Sequence, residues 1–304
     1  MSKACPAQSR ANSTSQLISC TYVIYGSPLL EYRQGAAFIP LCILEESPMS
    51  LIKKIGVFQF TTTGIRVCGM LFLLAGAFGA VIQTGILGVG NMTNNQLMLA
   101  LEQDPSLMQK VTLSLILQAL GSSALPIFAR LLVEGGINTS HFGKYFLRVL
   151  GLAVITQLPY NLVMTGNFMA TSALNPVFAL VMCLIMLYFF RRYEEKKFTN
   201  TMMKLLAVFC VFMWTGILGI DHGQCCVLLV AELWALREKA NLQTFVGILL
   251  MFGCMIFSVF YLLAPVGFLI LHFYEGEKGS ENRLVNYLAY PVILLVCGLM
   301  GMML

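Results

Sequence analysis

The residues able to do chemistry are few, and they fall in two places. Asp221 and His222 stand side by side ahead of Gly223, and Arg130 and Glu134 stand four residues apart. An Asp beside a His can tune a general base, because the carboxylate stabilises the imidazolium formed when the ring takes a proton. Asp221 can equally cap a helix beginning near Gly223 by accepting its free amides. Arg130 and Glu134 can pair on one helical face; alternatively Arg130 extends its long stem to the headgroup level of a bilayer. His272 can converge with His222 or sit at a membrane interface beside Tyr274. The sequence has no GxSxG, P-loop or HExxH pattern, its three histidines are scattered, and none of its ten cysteines forms a CxxC. Neither a metal site nor a structural disulfide is expected from such spacing.

These residues are carried by a chain that is 58% hydrophobic and 11% charged, with a mean hydropathy of +0.79. A soluble domain uses about 25% charged residues. The composition therefore excludes a secreted soluble enzyme, a disordered scaffold and a conventional nucleic-acid binder. The fold class it predicts is all-α, a polytopic transmembrane helical bundle held in the lipid bilayer.

Apolar runs at residues 66–89, 111–133, 145–165, 173–190, 203–220, 223–237, 243–274 and 286–304 give about eight spans. A crossing helix needs about 20 residues, so the long 243–274 run is favoured as one helix kinked at Pro265; two short segments are the alternative. Lys53, Lys54, Arg66, Arg130, Lys144, Arg148, Arg191, Arg192, Lys196, Lys197, Lys204, Arg237 and Lys239 cluster in every second connection. By the positive-inside rule both termini are then cytoplasmic and the 275–285 loop is outside. A split of the 243–274 run puts that loop inside and the C-terminus outside. Residues 1–60 read as a polar or weakly ordered N-terminal extension, with Met49 a natural second start, and residues 61–304 as the transmembrane domain. Within the spans, Gln118, Gln157, Asn161, Asn175, Gln224 and Glu232 are candidates for function, because polar groups in lipid cost free energy.

Five segments in order resemble the TraX family of bacterial inner-membrane proteins. "ALPIFARLLVEGG" (Ala124–Gly136) and "KYFLRVLGLAVITQLPYNL" (Lys144–Leu162) are followed by "LNPVFAL" (Leu174–Leu180). "GIDHGQCCVLLV" (Gly219–Val230) and "YEGEKG" with "YLAYPVILLV" (Tyr274–Gly279, Tyr287–Val296) complete the set. The resemblance implies an acyltransferase-like membrane fold in the bacterial cytoplasmic (inner) membrane. It also implies acetyl-CoA as acyl donor, a peptide N-terminus or other small amine as acceptor, and a link to pilus-subunit acetylation in conjugation. It brings no metal and no nucleic acid.

Departures from the family pattern fall on its polar positions. An Asp-His pair of the family's first span aligns with Gly76 and Ala77, an arginine with Ser122, a phenylalanine with Arg130, a last-span histidine with Ile293, and a tyrosine with His222. Two readings follow. In one, the chain is an acetyltransferase whose polar site is supplied by His222, Asp221 and Glu134, with Arg130 as the cation. In the other, it is a non-catalytic scaffold, a subunit for a membrane-protein partner, or a transport component that has kept the fold.

Overall fold

Lipid offers the backbone no hydrogen-bond partner, so uncharged apolar runs must satisfy themselves as helices. The computed structural model describes residues 61–87, 94–170, 173–195, 197–274, 276 and 283–303. These lie within one compact unit, Pro48–Leu304; the expected extension over residues 1–60 lies outside the described residues. The described chain is all-α apart from one isolated bridge between Leu174 and Ile220.

Capping residues set the helix starts. Thr61 accepts the Gly64 amide at 3.2 Å and opens α1 (Thr62–Val81), which runs on through a π-helical turn, Ile82–Ile86. A short α2 (Asn94–Gln103) follows. Asp104 then accepts the Ser106 amide at 2.8 Å and opens α3 (Pro105–Ser122). The Ser106 side chain, together with its amide, holds the exposed Asp104 carboxyl below the usual carboxylate range.

α4 (Ala124–Asn138) continues α3 after a break at Ser123. Pro126 accounts for the break: it has no amide to donate, and its ring collides with the carbonyl four residues earlier, that of Ser122. Beyond it come α5 (Phe142–Thr165), α6 (Pro176–Arg192), α7 (Phe198–Ile217), α8 (Gly223–Ala235) and α9 (Ala240–Cys254). A 3-10 turn (Val259–Leu263), α10 (Pro265–His272) and α11 (Arg283–Met303) complete the bundle.

Among the described residues, four stretches are long and apolar enough to cross a membrane: Thr62–Thr84, Pro105–Asn138, Phe142–Thr165 and Phe198–Ile217. Large apolar side chains such as Leu147, Ile155 and Phe209 are exposed on the outside, as a lipid-facing surface requires. The chain is a multi-span membrane-helix bundle. α1 packs antiparallel to α3 and α4 through glycines, Gly76 meeting Gly121 and Gly79 meeting Ser114.

The bundle has one basic end. Arg66, Arg130, Lys144, Arg148, Arg191, Arg192, Lys197, Lys204, Arg237 and Lys239 all fall near helix termini that meet there. Lys110, in the second turn of α3, sits toward the opposite end. Cross-links tie the basic end together: Arg191 donates to the Gly136 carbonyl at 2.9 Å, and Arg237 to Glu194 at 2.8 Å. The Arg237 guanidinium holds the exposed Glu194 carboxyl below its ordinary range.

The 243–274 run is not the single kinked helix favoured from its length. It folds back after Cys254, and His272 at the end of α10 lies 3.3 Å from Thr244 near the start of α9. Ser122 and Ser123, at the break between α3 and α4, donate to the Phe260 and Leu263 carbonyls at 2.7 Å each. These hydroxyls satisfy backbone that a fold-back leaves bare inside the bundle, which is why two short segments are stable here. The consequence is topological. Tyr274 lies at the basic end, and α11 finishes at the opposite end, with Gly298 against Leu162 and Gly301 against Val81. The start and finish of the described bundle are therefore on opposite ends, not on one side.

Candidate functional site

One face of α1 (Arg66, Met70, Leu73, Gly76, Ala77) and one face of α5 (Arg148, Val149, Leu152, Tyr160) face a common cavity of about 1190 Å³. The spacing of three and four residues is that of a single helical stripe. Arg148 and Tyr160 are twelve residues apart on α5, so the cavity extends at least ~18 Å along the helix axis. Its middle is uncharged; its charged lining residues are Arg66, Glu134 and Arg148 at the basic end, and Asp221 with His222 at the other.

The α7–α8 turn carries the second group. Gly219 adopts a φ of 60°, and the Leu174 amide and carbonyl clamp the turn through Gly219 and Asp221 at 3.1 and 2.9 Å. His222 has a φ of 56°, in the left-handed region that a non-glycine residue seldom occupies. Such strain is held only where the surroundings enforce it, and it often marks a functional position. Here it brings two adjacent side chains to one wall, which a regular helix could not do. The His222 Nε2 lies 3.6 Å from Asp221 Oδ2. Tyr160 donates to the same oxygen at 2.5 Å, and the Tyr261 hydroxyl is 2.6 Å from His222 Nδ1.

Asp221 does not cap the helix after it. The cap position of α8 belongs to His222, without a side-chain bond, and the Asp221 carboxylate is turned toward Tyr160. The first-turn amides of α8 thus keep no side-chain cap and offer their partial positive charge beside the dyad. Thr165, the last residue of α5, is five residues beyond Tyr160, so the dyad is recessed by ~8 Å from that helix end.

Arg130 and Glu134 form a different cluster. They pair at 2.9 Å, as their spacing suggested, and Arg130 also donates to Gln243 at 2.9 Å. Glu134 accepts from Tyr274 at 2.8 Å, and Tyr274 is 3.0 Å from Thr62. This string joins α4, α9, α1 and Tyr274, two residues beyond α10, at the basic end. Glu134 lines the main cavity; Arg130 lines a small neighbouring one with His272. The four site residues expected from sequence therefore divide between the two ends. His272 does not converge with His222, because the fold-back carries it to the basic end.

Asn175, Gln157 and Asn161 have structural roles, whereas Gln118 and Gln224 line the cavity. Asn175 caps α6 through the Val177 amide at 2.9 Å and donates to the Ala153 carbonyl at 2.8 Å; Gln157 bonds both Asn175 and Asn161. Among the described residues, no group of three His, Cys, Asp or Glu is placed to hold a metal ion. Tyr160 and Tyr261 were missed by sequence reasoning, since tyrosines inside apolar runs look like packing material.

A sequence model described as TraX protein matches residues 91–301. The chain belongs to the TraX family. No curated protein and no solved structure is similar to it. The TraX match begins after α1; it includes Asp221, His222, Arg130, Glu134 and Tyr274 but not Thr62. Gly76, Ala77 and Ser122, where the family resemblance leads one to expect polar side chains, all line the cavity. In this TraX-family chain the wall at those positions is small and uncharged.

Glu232 makes no bond to either cluster, though the charge of Arg130 reaches it. It is 8% exposed on α8, and neither carboxyl oxygen has a hydrogen-bond partner among the described residues. An unsatisfied buried polar group costs about 1–3 kcal/mol, and an ionised one more. Glu232→Met, which keeps the volume and removes the orphan oxygens, should raise the thermal midpoint in detergent by several degrees. A lower midpoint would mean that the carboxyl has a stabilising partner.

Proposed function

We propose that the chain is a membrane-embedded acetyltransferase that moves an acetyl group from acetyl-CoA to a peptide N-terminus or another small amine. The observation that carries this reading is the Asp221–His222 turn on the wall of a cavity large enough for an extended ligand. TraX-family membership supports it. The bundle lies in the bacterial cytoplasmic membrane with its basic end toward the cytoplasm, as the positive-inside rule directs.

His222 serves as the general base. With a proton on Nδ1, donated to the Tyr261 oxygen, Nε2 is bare and can take a proton from the acceptor amine. Asp221 then stabilises the imidazolium, and Tyr160 holds the Asp221 carboxylate in place. The amine nitrogen attacks the thioester carbonyl, and its oxygen gathers negative charge against the uncapped amides of α8. Collapse breaks the carbon–sulfur bond, and the imidazolium returns its proton to the departing thiolate. Arg130 and Glu134 act at a distance, by holding Tyr274 at the basic end of the cavity.

Calorimetric titration of the detergent-purified protein with acetyl-CoA, beside coenzyme A, tests this reading. Micromolar binding of both is expected. A folded, monodisperse protein that binds neither at millimolar ligand would overturn it and leave the scaffold or partner-subunit role.

A further inference from the structure

We infer that Tyr290 is a further catalytic residue, whose hydroxyl donates to the carbonyl oxygen of the bound thioester and stabilises the oxyanion formed when the amine attacks. The identity of the reacting atoms rests on the acetyltransferase reading. The free donor itself rests on the lining of the cavity.

Six tyrosines line that cavity. Tyr160, Tyr261 and Tyr274 have their hydroxyls engaged, on Asp221, His222 and Glu134. Tyr145 and Tyr287 lie near each other toward the basic end. Tyr290, in α11, differs from all of these. It is 8% exposed, yet its hydroxyl has no hydrogen-bond partner among the described residues. Nor is its oxygen sealed within the protein: among the described residues, the sealed side-chain atoms without a partner are the two Glu232 oxygens. A buried residue whose hydroxyl is neither bonded nor sealed opens onto the space it lines. Buried polar groups ordinarily find partners, so this hydroxyl is a donor open to a ligand.

Its place suits the carbonyl. α11 packs on α5 and α1, whereas α8 packs on α4, α6, α7 and α9. Tyr290 and the His222 turn therefore reach the cavity from different walls, although the charge of Asp221 reaches Tyr290. Along the bundle, Tyr290 stands eight residues before Gly298, which meets Leu162. α5 and α11 run in the same direction, so Tyr290 lies ~12 Å deeper than Leu162. That is also deeper than Tyr160, two residues before Leu162, which holds Asp221. An amine arriving past Asp221 meets the base first, and a carbonyl held deeper turns its oxygen toward Tyr290. Acyl transfer needs this division, because the nucleophile and the oxygen take different directions about the carbon.

In the step, the amine nitrogen bonds the carbonyl carbon and gives a proton to His222 Nε2, while the carbonyl π electrons move onto oxygen. Tyr290 keeps its own proton and bonds that oxygen more strongly, beside the α8 amides. When the carbon–sulfur bond breaks, the oxygen lone pair re-forms the carbonyl and the imidazolium proton goes to the thiolate. A bond that strengthens only as charge develops lowers the barrier more than it tightens binding.

Tyr290→Phe removes one oxygen and keeps the ring. In the purified full chain it should lower kcat for acetyl transfer about 100-fold, with a much smaller rise in KM. The thermal midpoint should stay native, since the hydroxyl bonds no described protein group. Infrared difference spectra with acetyl-CoA carrying carbon-13 at the carbonyl supply a readout that packing does not move. The bound carbonyl band should lie at lower frequency in the native complex than in Tyr290→Phe. Should the variant lose its fold, S-ethyl-CoA, which lacks the carbonyl oxygen, takes its place: the native protein should bind it several-fold more weakly than acetyl-CoA. Equal affinity for the two would overturn the role. A native rate with an unmoved band in Tyr290→Phe overturns it too and leaves the acetyltransferase reading standing. A midpoint many degrees lower with the band unmoved makes the hydroxyl structural, with the same consequence. A native protein that binds no acetyl-CoA, or binds it without transfer to any amine, overturns the reading and this role together.

Discussion

His222→Asn should slow acetyl transfer by about 100- to 10,000-fold, the usual contribution of a positioned general base. That corresponds to roughly 3–5 kcal/mol of barrier. Asparagine is the informative replacement because the position has a φ of 56°. Asn tolerates the left-handed region better than other non-glycine residues, so the turn is kept and only the base is lost. Thermal stability and acetyl-CoA affinity should both stay near native. Tyr261→Phe removes the partner of Nδ1 and should cost less, because the base remains but its tautomer is no longer fixed. Activity in His222→Asn equal to native would remove this residue from the chemistry.

Gly121→Val should have the largest effect on folding. A Cβ at Gly121 would lie 2.6 Å from the Gly76 Cα, and the neighbour it meets is backbone, which cannot rotate away. α1 and α3 must then separate, and overpacking of this kind costs about 1–3 kcal/mol or more. The damage spreads, since Ser122, the next residue, bonds the Phe260 carbonyl at 2.7 Å. Loss of the monodisperse form in detergent, or a thermal midpoint lowered by many degrees, is the expected reading. Gly151→Val is the control: a Cβ there meets nothing within 4 Å, and the midpoint should hardly move. The same contact shows why adding an Asp at Gly76 would not simply rebuild a family-like wall, because its Cβ would lie 3.0 Å from the Gly121 Cα.

Composition and hydropathy were enough to place the chain among multi-span helical membrane proteins, because lipid leaves so few ways to satisfy a backbone. Motif order was enough for the family, confirmed by the match over residues 91–301. The fold-back of 243–274 was not legible, since its support comes from Ser122 and Ser123 more than a hundred residues away. The pairing of Arg130 with Glu134 followed from spacing alone, as local helical geometry decides it. The geometry of Asp221 and His222 did not, because neighbouring residues face one wall only when a left-handed residue turns the chain. Tyr160 and Tyr261 were hidden for a related reason. Their value lies in contacts to the α7–α8 turn, and nothing in their own surroundings announces them. Asn175 and Gln157 show the opposite error, in which residues flagged for function by polarity prove to cap a helix and brace a turn.

The central claim is that the cavity between α1 and α5 holds an acyl donor with its thioester at His222. Cryo-electron microscopy of the protein in lipid nanodiscs with saturating acetyl-CoA tests it most directly. Ligand density is expected within the cavity, reaching the α7–α8 turn with the acetyl group beside His222 Nε2. A cavity filled by lipid acyl chains, with acetyl-CoA bound elsewhere or not at all, would contradict it.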